Sequence, residues 1–247
     1  MKDFRAASFY DRMKRKLSRI LWLHGKPQRA IADRVDAYEG YRLWASCYSD
    51  ETATSFLDEE LARTMLGNLS QTKLLDAGCG VGRRIAHIPD AVGLDASPEM
   101  LAAGGCRNTV RGDVRAMPFM ADTFDMVWCR LVLGHLPDAQ SAYRELARVC
   151  APGGHVFVTD FHSDAVAAGH QRTFTDAVGT AHEIVHYVHR DHAVLASAAC
   201  LSLVAQRDGV VGPSIRDFYA RGIGMKAYRN HIGLKLVAAF LFRKPDR

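Results

Sequence analysis

The residues of this 247-residue chain best suited to chemistry lie at 74–83, Leu-Leu-Asp-Ala-Gly-Cys-Gly-Val-Gly-Arg. An apolar run meets an acid, Asp76, and then glycines at 78, 80 and 82, with Cys79 between them as a small filler. Glycine admits positive φ and lets a ligand reach the backbone. Asp95 follows 19 residues after Asp76, the separation at which an acid in a nucleotide-type βαβ unit meets ribose hydroxyls. Histidine forms a second group, with seven of the eleven between 155 and 192. His182-Glu183-Ile184-Val185-His186 matches H-E-x-x-H, and His192 stands ten residues after His182. On a helix such histidines would hold zinc with Glu183 as base. However, His189 replaces the turning glycine of the extended pattern, and Ile184, Val185, Tyr187 and Val188 suit a strand. We therefore expect a strand whose alternate residues, His182, His186 or Tyr187, line a pocket, and assign no metal ligand.

The glycine spacing decides which nucleotide is bound. A dinucleotide fingerprint would need a third glycine where Arg83 stands, and no phosphate-loop Gly-Lys-Ser/Thr is present. Asp-x-Gly-x-Gly-x-Gly instead resembles motif I of the class I S-adenosylmethionine (SAM)-dependent methyltransferases. The resemblance continues in order through 94–101 (Leu-Asp-Ala-Ser-Pro-Glu-Met-Leu), 111–119 with Gly112-Asp113-Val114, 124–129, 133–138, and 144–158 with Pro152-Gly153-Gly154. In style it is nearest the small-molecule enzymes akin to the ubiquinone and menaquinone methyltransferases.

That resemblance implies an enzyme that binds SAM and releases S-adenosylhomocysteine (SAH). Asp76, Gly78, Cys79, Gly80 and Gly82 would bind the cofactor, in a loop that admits its amino-acid moiety and ribose. Asp95, Ala96 and Met100 would meet the ribose, and Asp113 and Val114 the adenine. In an open α/β sheet ligands lie beyond the carboxyl ends of the strands, which brings Arg130, Leu131, His135, Asp160, Phe161 and His162 to the site. Arg130 would face the cofactor and Phe161 the acceptor, and His162 or His135 would take a proton from a hydroxyl or amine acceptor. Tyr38, Tyr41, Trp44 and Tyr48 resemble the family's N-terminal aromatic lid; packing of a helix pair would use the same residues. The acceptor site is expected over 160–192, including His186, with Tyr228 and Arg229. The acceptor is a small molecule of cofactor or secondary-metabolite type, through O, N or C.

The elements that must position these residues follow from periodicity. Strands are expected over 73–77, 91–95, 109–112, 124–129, 154–160, 201–207 and 236–242, with helices after the first, second and fourth and near 191–199. This is an α/β, doubly wound, Rossmann-like seven-stranded sheet with helices on both faces. A helix over 55–66 would turn Phe56, Leu57, Leu61 and Met65 inward, and short helical pieces would run up to Tyr48. Residues 1–50 form a basic helical extension and lid, and 51–247 the methyltransferase domain, with an acceptor-site insertion about 160–200.

Charge separates these parts. Residues 1–35 hold ten basic residues against Asp3, Asp11 and Asp33, a net +7, which leaves −2 over 36–247. The domain itself is not basic, which argues against a nucleic-acid substrate. The N-terminal helix, expected near 3–23, packs on its own domain or on a twin subunit, or makes peripheral contact with an anionic membrane; monomer and homodimer both stay open. No run of 18 apolar residues suggests a membrane span. Six scattered cysteines without C-x-x-C and no apolar leader near the start point to reduced thiols in a cytoplasm.

Overall fold

The computed structural model describes residues 33–48, 51–67, 73–189 and 191–246. The helix expected near 3–23, and most of the basic run, lie outside them. Seven strands form one sheet: β2 (Leu74–Ala77), β3 (Val92–Asp95), β4 (Thr109–Arg111), β5 (Phe124–Arg130), β6 (Cys150–Phe161), β9 (Ser202–Val210) and β10 (Lys235–Arg243). Their order is β4-β3-β2-β5-β6-β10-β9, with β10 antiparallel to both neighbours. The chain steps outward from β2 to β4 and then returns to the other side of β2 with β5. That reversal opens a crevice beyond the carboxyl ends of β2 and β5.

Both faces of the sheet are covered, so its central strands are mainly apolar, with Asp76, Arg130 and Asp160 buried toward their carboxyl ends. Val127, Cys129, Val156, Val158, Phe240 and Phe242 pack on one face with helices α4 (Gln140–Val149) and α6 (His192–Ser197). Trp128, Phe157, Val237 and Ala239 pack on the other with α2 (Ala53–Leu66), α7 (Arg216–Arg221) and α8 (Met225–His231). Helix α3 (Pro98–Gly104) starts where Ser97 caps the Met100 N–H and Pro98 fills the first turn. Among the described residues no helix is long and apolar enough to cross a membrane.

The expected helix after the glycine turn is absent. Only 14 residues separate β2 from β3, and Pro89 lies near the end of that stretch. The connection instead climbs by four successive i→i+3 turns, Cys79–Gly82, Gly82–Ile85, Ile85–Ile88 and Ile88–Ala91. A second small sheet was not foreseen either. β1 (Asp33–Val35) pairs in parallel with β8 (Ala181–Ile184), which pairs antiparallel with β7 (Thr173–Thr175). It ties helix α1 (Ala37–Trp44), the segment expected to form a lid, to the segment after β6, so the pieces before Tyr48 are a strand, a helix and a short 3-10 turn rather than helical throughout. Helices α7 and α8 were likewise unforeseen, whereas α6, β9 and β10 fall where periodicity put them.

Helix α2 buries Leu57, Asp58, Leu61 and Ala62, a stripe rotated from the expected one, with Phe56 and Met65 only half-buried. Asp58 inside that stripe accepts from Arg130 of β5 (3.2 and 2.9 Å), Arg84 of the turns (3.2 Å) and the Thr159 hydroxyl of β6 (2.6 Å). Burial works against ionising it, but Arg84 and Arg130 prevail and hold its pKa below the ordinary carboxylate value. Its contribution to stability is therefore present above the unfolded pKa and lost only as pH falls through the folded one. Asp58→Ala leaves two buried guanidiniums short of a partner and is expected to cost about 3–5 kcal/mol, read as a lowered urea midpoint. An unchanged midpoint would mean the network is not structural.

Candidate cofactor and acceptor site

The turn leaving β2 carries Gly78, Gly80 and Gly82 at φ of 86°, 57° and 72°. At Gly78 a Cβ would collide with the Val132 side chain, so positive φ and close packing both require glycine there. The turn is held by Asp95, whose Oδ2 accepts from the Gly80 N–H at 2.8 Å and whose Oδ1 accepts from the Ser97 N–H at 2.9 Å. Burial raises the Asp95 pKa against those bonds. Met100 packs beneath Gly80, and Ala96 is exposed beside Asp95.

Asp76 is fully buried at the end of β2, and neither carboxylate oxygen has a hydrogen-bond partner. Burial raises its pKa, while Arg84 and Arg130 nearby oppose the shift. A buried carboxylate without a donor is costly. Beside a glycine turn and a second acid, it fits a ligand that brings a cationic head group and a diol.

The side chains of three expected cofactor contacts already have partners within the protein. The Arg130 guanidinium is buried against Asp58 and Glu59 and over the Trp128 ring, so it acts on Asp76 only through its charge. The Val114 side chain belongs to the core. Asp113 stands beyond β4, but its carboxylate is held by Arg115 at 2.6 Å. Cys79 is buried, and burial pushes its thiol far above the ordinary range, which makes it an inert filler.

The lid residues meet as a group. Tyr41 stacks on Trp44, Trp44 stacks on Phe174 of β7, and Tyr48 meets Trp44 edge-on; Tyr38 is exposed. The Tyr41 hydroxyl shares a hydrogen bond with His135 Nε2 at 2.9 Å and accepts one from Arg172 at 3.2 Å. Burial pushes Tyr41 up to about 12 and holds His135 well below the ordinary histidine value, aided by Arg172 and His186.

The H-E-x-x-H residues lie on β8 and the extended chain after it, as their β-branched neighbours imply. His182 bonds Asp176 at 2.9 Å, whereas His186 turns inward, with Nε2 3.6 Å from Asp160. A Cβ on Gly134 would strike the His186 ring, so the 3-10 turn over 133–135 can approach only as glycine. His192 approaches Asp160 from another side at 3.5 Å and shares a hydrogen bond with Tyr143. Among the described residues no three metal-ligating side chains are placed to hold one ion.

His162 does not join this group. Its Nδ1 accepts from the Asp164 N–H as the cap of α5 (Ser163–Ala167), and its Nε2 lies 3.8 Å from Asp208 on β9. The sequence shows His162 one residue past β6, but not that its ring turns toward the far edge of the sheet.

A cavity of about 730 Å³ opens between the lid, the end of β6 and the segment before β7. Trp44, Phe161, Arg172, Phe218, Tyr219 and Leu236 are among its walls. Its volume and mostly apolar lining are those of a small-molecule site. Phe161 is where sequence reasoning put it, in contact with His186 as well. Tyr228 stands behind Tyr219 rather than among the lining residues, so α7 supplies the wall expected of the region around Tyr228. Sequence reasoning missed Asp58, Arg84 and Arg172; the one signal for Asp58 was its place on the same helix face as Leu61 and Ala62.

Sheet order, glycine turn and the acid after the second strand define the class I methyltransferase fold. Residues 75–158 match the family model described as a methyltransferase domain. The malonyl-[acyl-carrier protein] O-methyltransferase of Erwinia billingiae is 36% identical over 116 residues, 44% of this chain and 46% of that protein. The 27-O-demethylrifamycin SV methyltransferase of Amycolatopsis mediterranei is 31% identical over 158 residues, 56% and 57% of the two chains. The crystal structure of an S-adenosylmethionine-dependent methyltransferase from Mesorhizobium loti superposes with a TM-score of 0.59 at 16% identity, covering 76% of this chain and 98% of that one. The chain thus has the fold of these enzymes, with a methyltransferase-domain match over residues 75–158, and spans about half the length of the curated relatives it matches.

The buried imidazoles give a test of the site's packing. Burial lowers the pKa of His135, His192 and His170, the last to about 4. Between their folded values and the unfolded value of about 6.5 the unfolded chain binds more protons, so stability falls as pH drops below about 6.5. The urea midpoint is expected to decline from about pH 7.5 to about pH 5. A flat midpoint would show that these rings are not buried as neutral groups.

Proposed function

We propose that this protein transfers the methyl group of SAM to a small molecule held in the cavity. The observation that carries the reading is Asp76, a buried carboxylate with no donor at the base of the glycine turn. It suits the ammonium of the methionine moiety. Asp95, which keeps acceptor capacity beyond its two backbone bonds, suits the ribose hydroxyls. SAM supplies a methyl carbon on a positively charged sulfur, a good leaving group.

The chain's own residues then have chiefly to align and to exclude water. The lid aromatics Tyr41 and Trp44 shield the crevice, and Phe161 and Leu236 give the acceptor an apolar bed. The Tyr41–His135 pair is the candidate for receiving an acceptor proton. With His135 a weak base and Tyr41 a weak acid, the pair suits positioning better than deprotonation, which favours an acceptor that arrives already ionised or reacts without losing a proton. One relative is named for methylating 27-O-demethylrifamycin SV, which agrees with a small-molecule acceptor.

Calorimetry with SAH tests the cofactor half. One site is expected, and Asp95→Ala should weaken it about tenfold or more by removing charge-assisted hydrogen bonds. Undiminished affinity in that variant would contradict the assignment.

A further inference from the structure

Four arginines among the described residues are not exposed: Arg84, Arg130, Arg148 and Arg172. Arg84 and Arg130 meet Asp58, and Arg148 meets Glu145. Arg172 alone of the four meets no acid among the described residues; its guanidinium gives one hydrogen bond, to the Tyr41 hydroxyl. A guanidinium withdrawn from water calls for an anion, and its planar fork matches a carboxylate in two parallel bonds.

The position of Arg172 says where that anion would come from. The side chain stands in the wall of the 730 Å³ cavity, beside Trp44, Phe161 and Leu236. Glu51 and Arg221 also border the cavity, but both are exposed, and the Arg221 guanidinium lies over the Phe218 ring. The Arg172 guanidinium bonds the Tyr41 hydroxyl, which in turn meets His135 of the 3-10 turn after β5, so the arginine stands on the side of the cavity nearest that turn. A chamber with apolar walls and a half-buried guanidinium that meets no acid is shaped for an amphiphilic anion.

We propose that the acceptor is an aromatic or aliphatic carboxylic acid, anchored by its carboxylate on Arg172 with its apolar body against Trp44, Phe161 and Leu236. The proposal rests on the reading of the cavity as the acceptor site. It names Arg172 as the residue that selects acids over their neutral analogues.

The test uses the full chain with 2-naphthoate and its neutral isostere 2-naphthamide as probes, titrated by calorimetry with SAH present. Wild type is expected to bind the acid about tenfold or more tightly than the amide, the worth of a charge-assisted pair. Arg172→Gln should erase that preference without changing the affinity for the amide, and Arg172→Lys should restore part of it. Equal affinities in wild type, binding of neither probe, or an Arg172→Gln variant that weakens both alike would overturn the proposal. The last result would mean that Arg172 only props Tyr41. SAH titrated alone into wild type reads the cofactor site separately: its failure to bind would remove the methyl-transfer reading and leave the acid-over-amide comparison standing.

Discussion

The Asp58 carboxylate is the interaction on which the ligand end of this molecule depends. It sits on α2 yet reaches Arg84 of the turns after β2, Arg130 at the end of β5 and Thr159 near the end of β6. Four segments that separately would fray at the crevice are thereby fixed to one point. The cost of burying that charge is offset because two guanidiniums and a hydroxyl saturate it. The same guanidiniums then act on Asp76, whose carboxyl burial alone would push further toward the neutral acid. A structural ion pair thus sets the charge available where a cationic ligand group is expected to land.

Much of this was legible in the sequence because local chemistry dictated it. Glycines at 78, 80 and 82 admit one kind of turn, and Asp95 could be placed by its distance from Asp76. The doubly wound sheet followed from alternating strand and helix periods, and the rule that ligands gather where such a sheet reverses pointed to the strand ends. What could not be read was where side chains point once the chain is packed. Arg130 leaves the strand end at the right place but turns back under α2, where Asp58 and Glu59 both pair with it. His162 follows β6 but caps a short helix on the far side. The missing helix between β2 and β3 had a visible cause in the short connection and Pro89, yet apolar residues spaced three apart suit stacked turns as well as a helix.

The histidine-rich segment shows the same limit. Its H-E-x-x-H spacing would share one face on a helix, but on an extended chain of side-chain period two, other contacts decide. β8 takes His182 to Asp176, and the chain beyond it takes His186 to Asp160. The pairing of β8 with β1, some 150 residues earlier in the chain, left no signal in either segment, although it joins the aromatic helix α1 to the wall of the 730 Å³ cavity. Arg172 lies one residue before β7 in that sheet, so the guanidinium and Tyr41 are brought together by the same pairing.

The central claim is that Asp76 and Asp95 hold the two ends of one cofactor. A crystal structure of the protein with SAH bound tests it most directly. The account predicts the ligand's ammonium against the Asp76 carboxylate, its ribose hydroxyls on Asp95, and its sulfur facing the cavity lined by Phe161 and Arg172. SAH bound elsewhere, or in the crevice with Asp76 still lacking a donor, would contradict it.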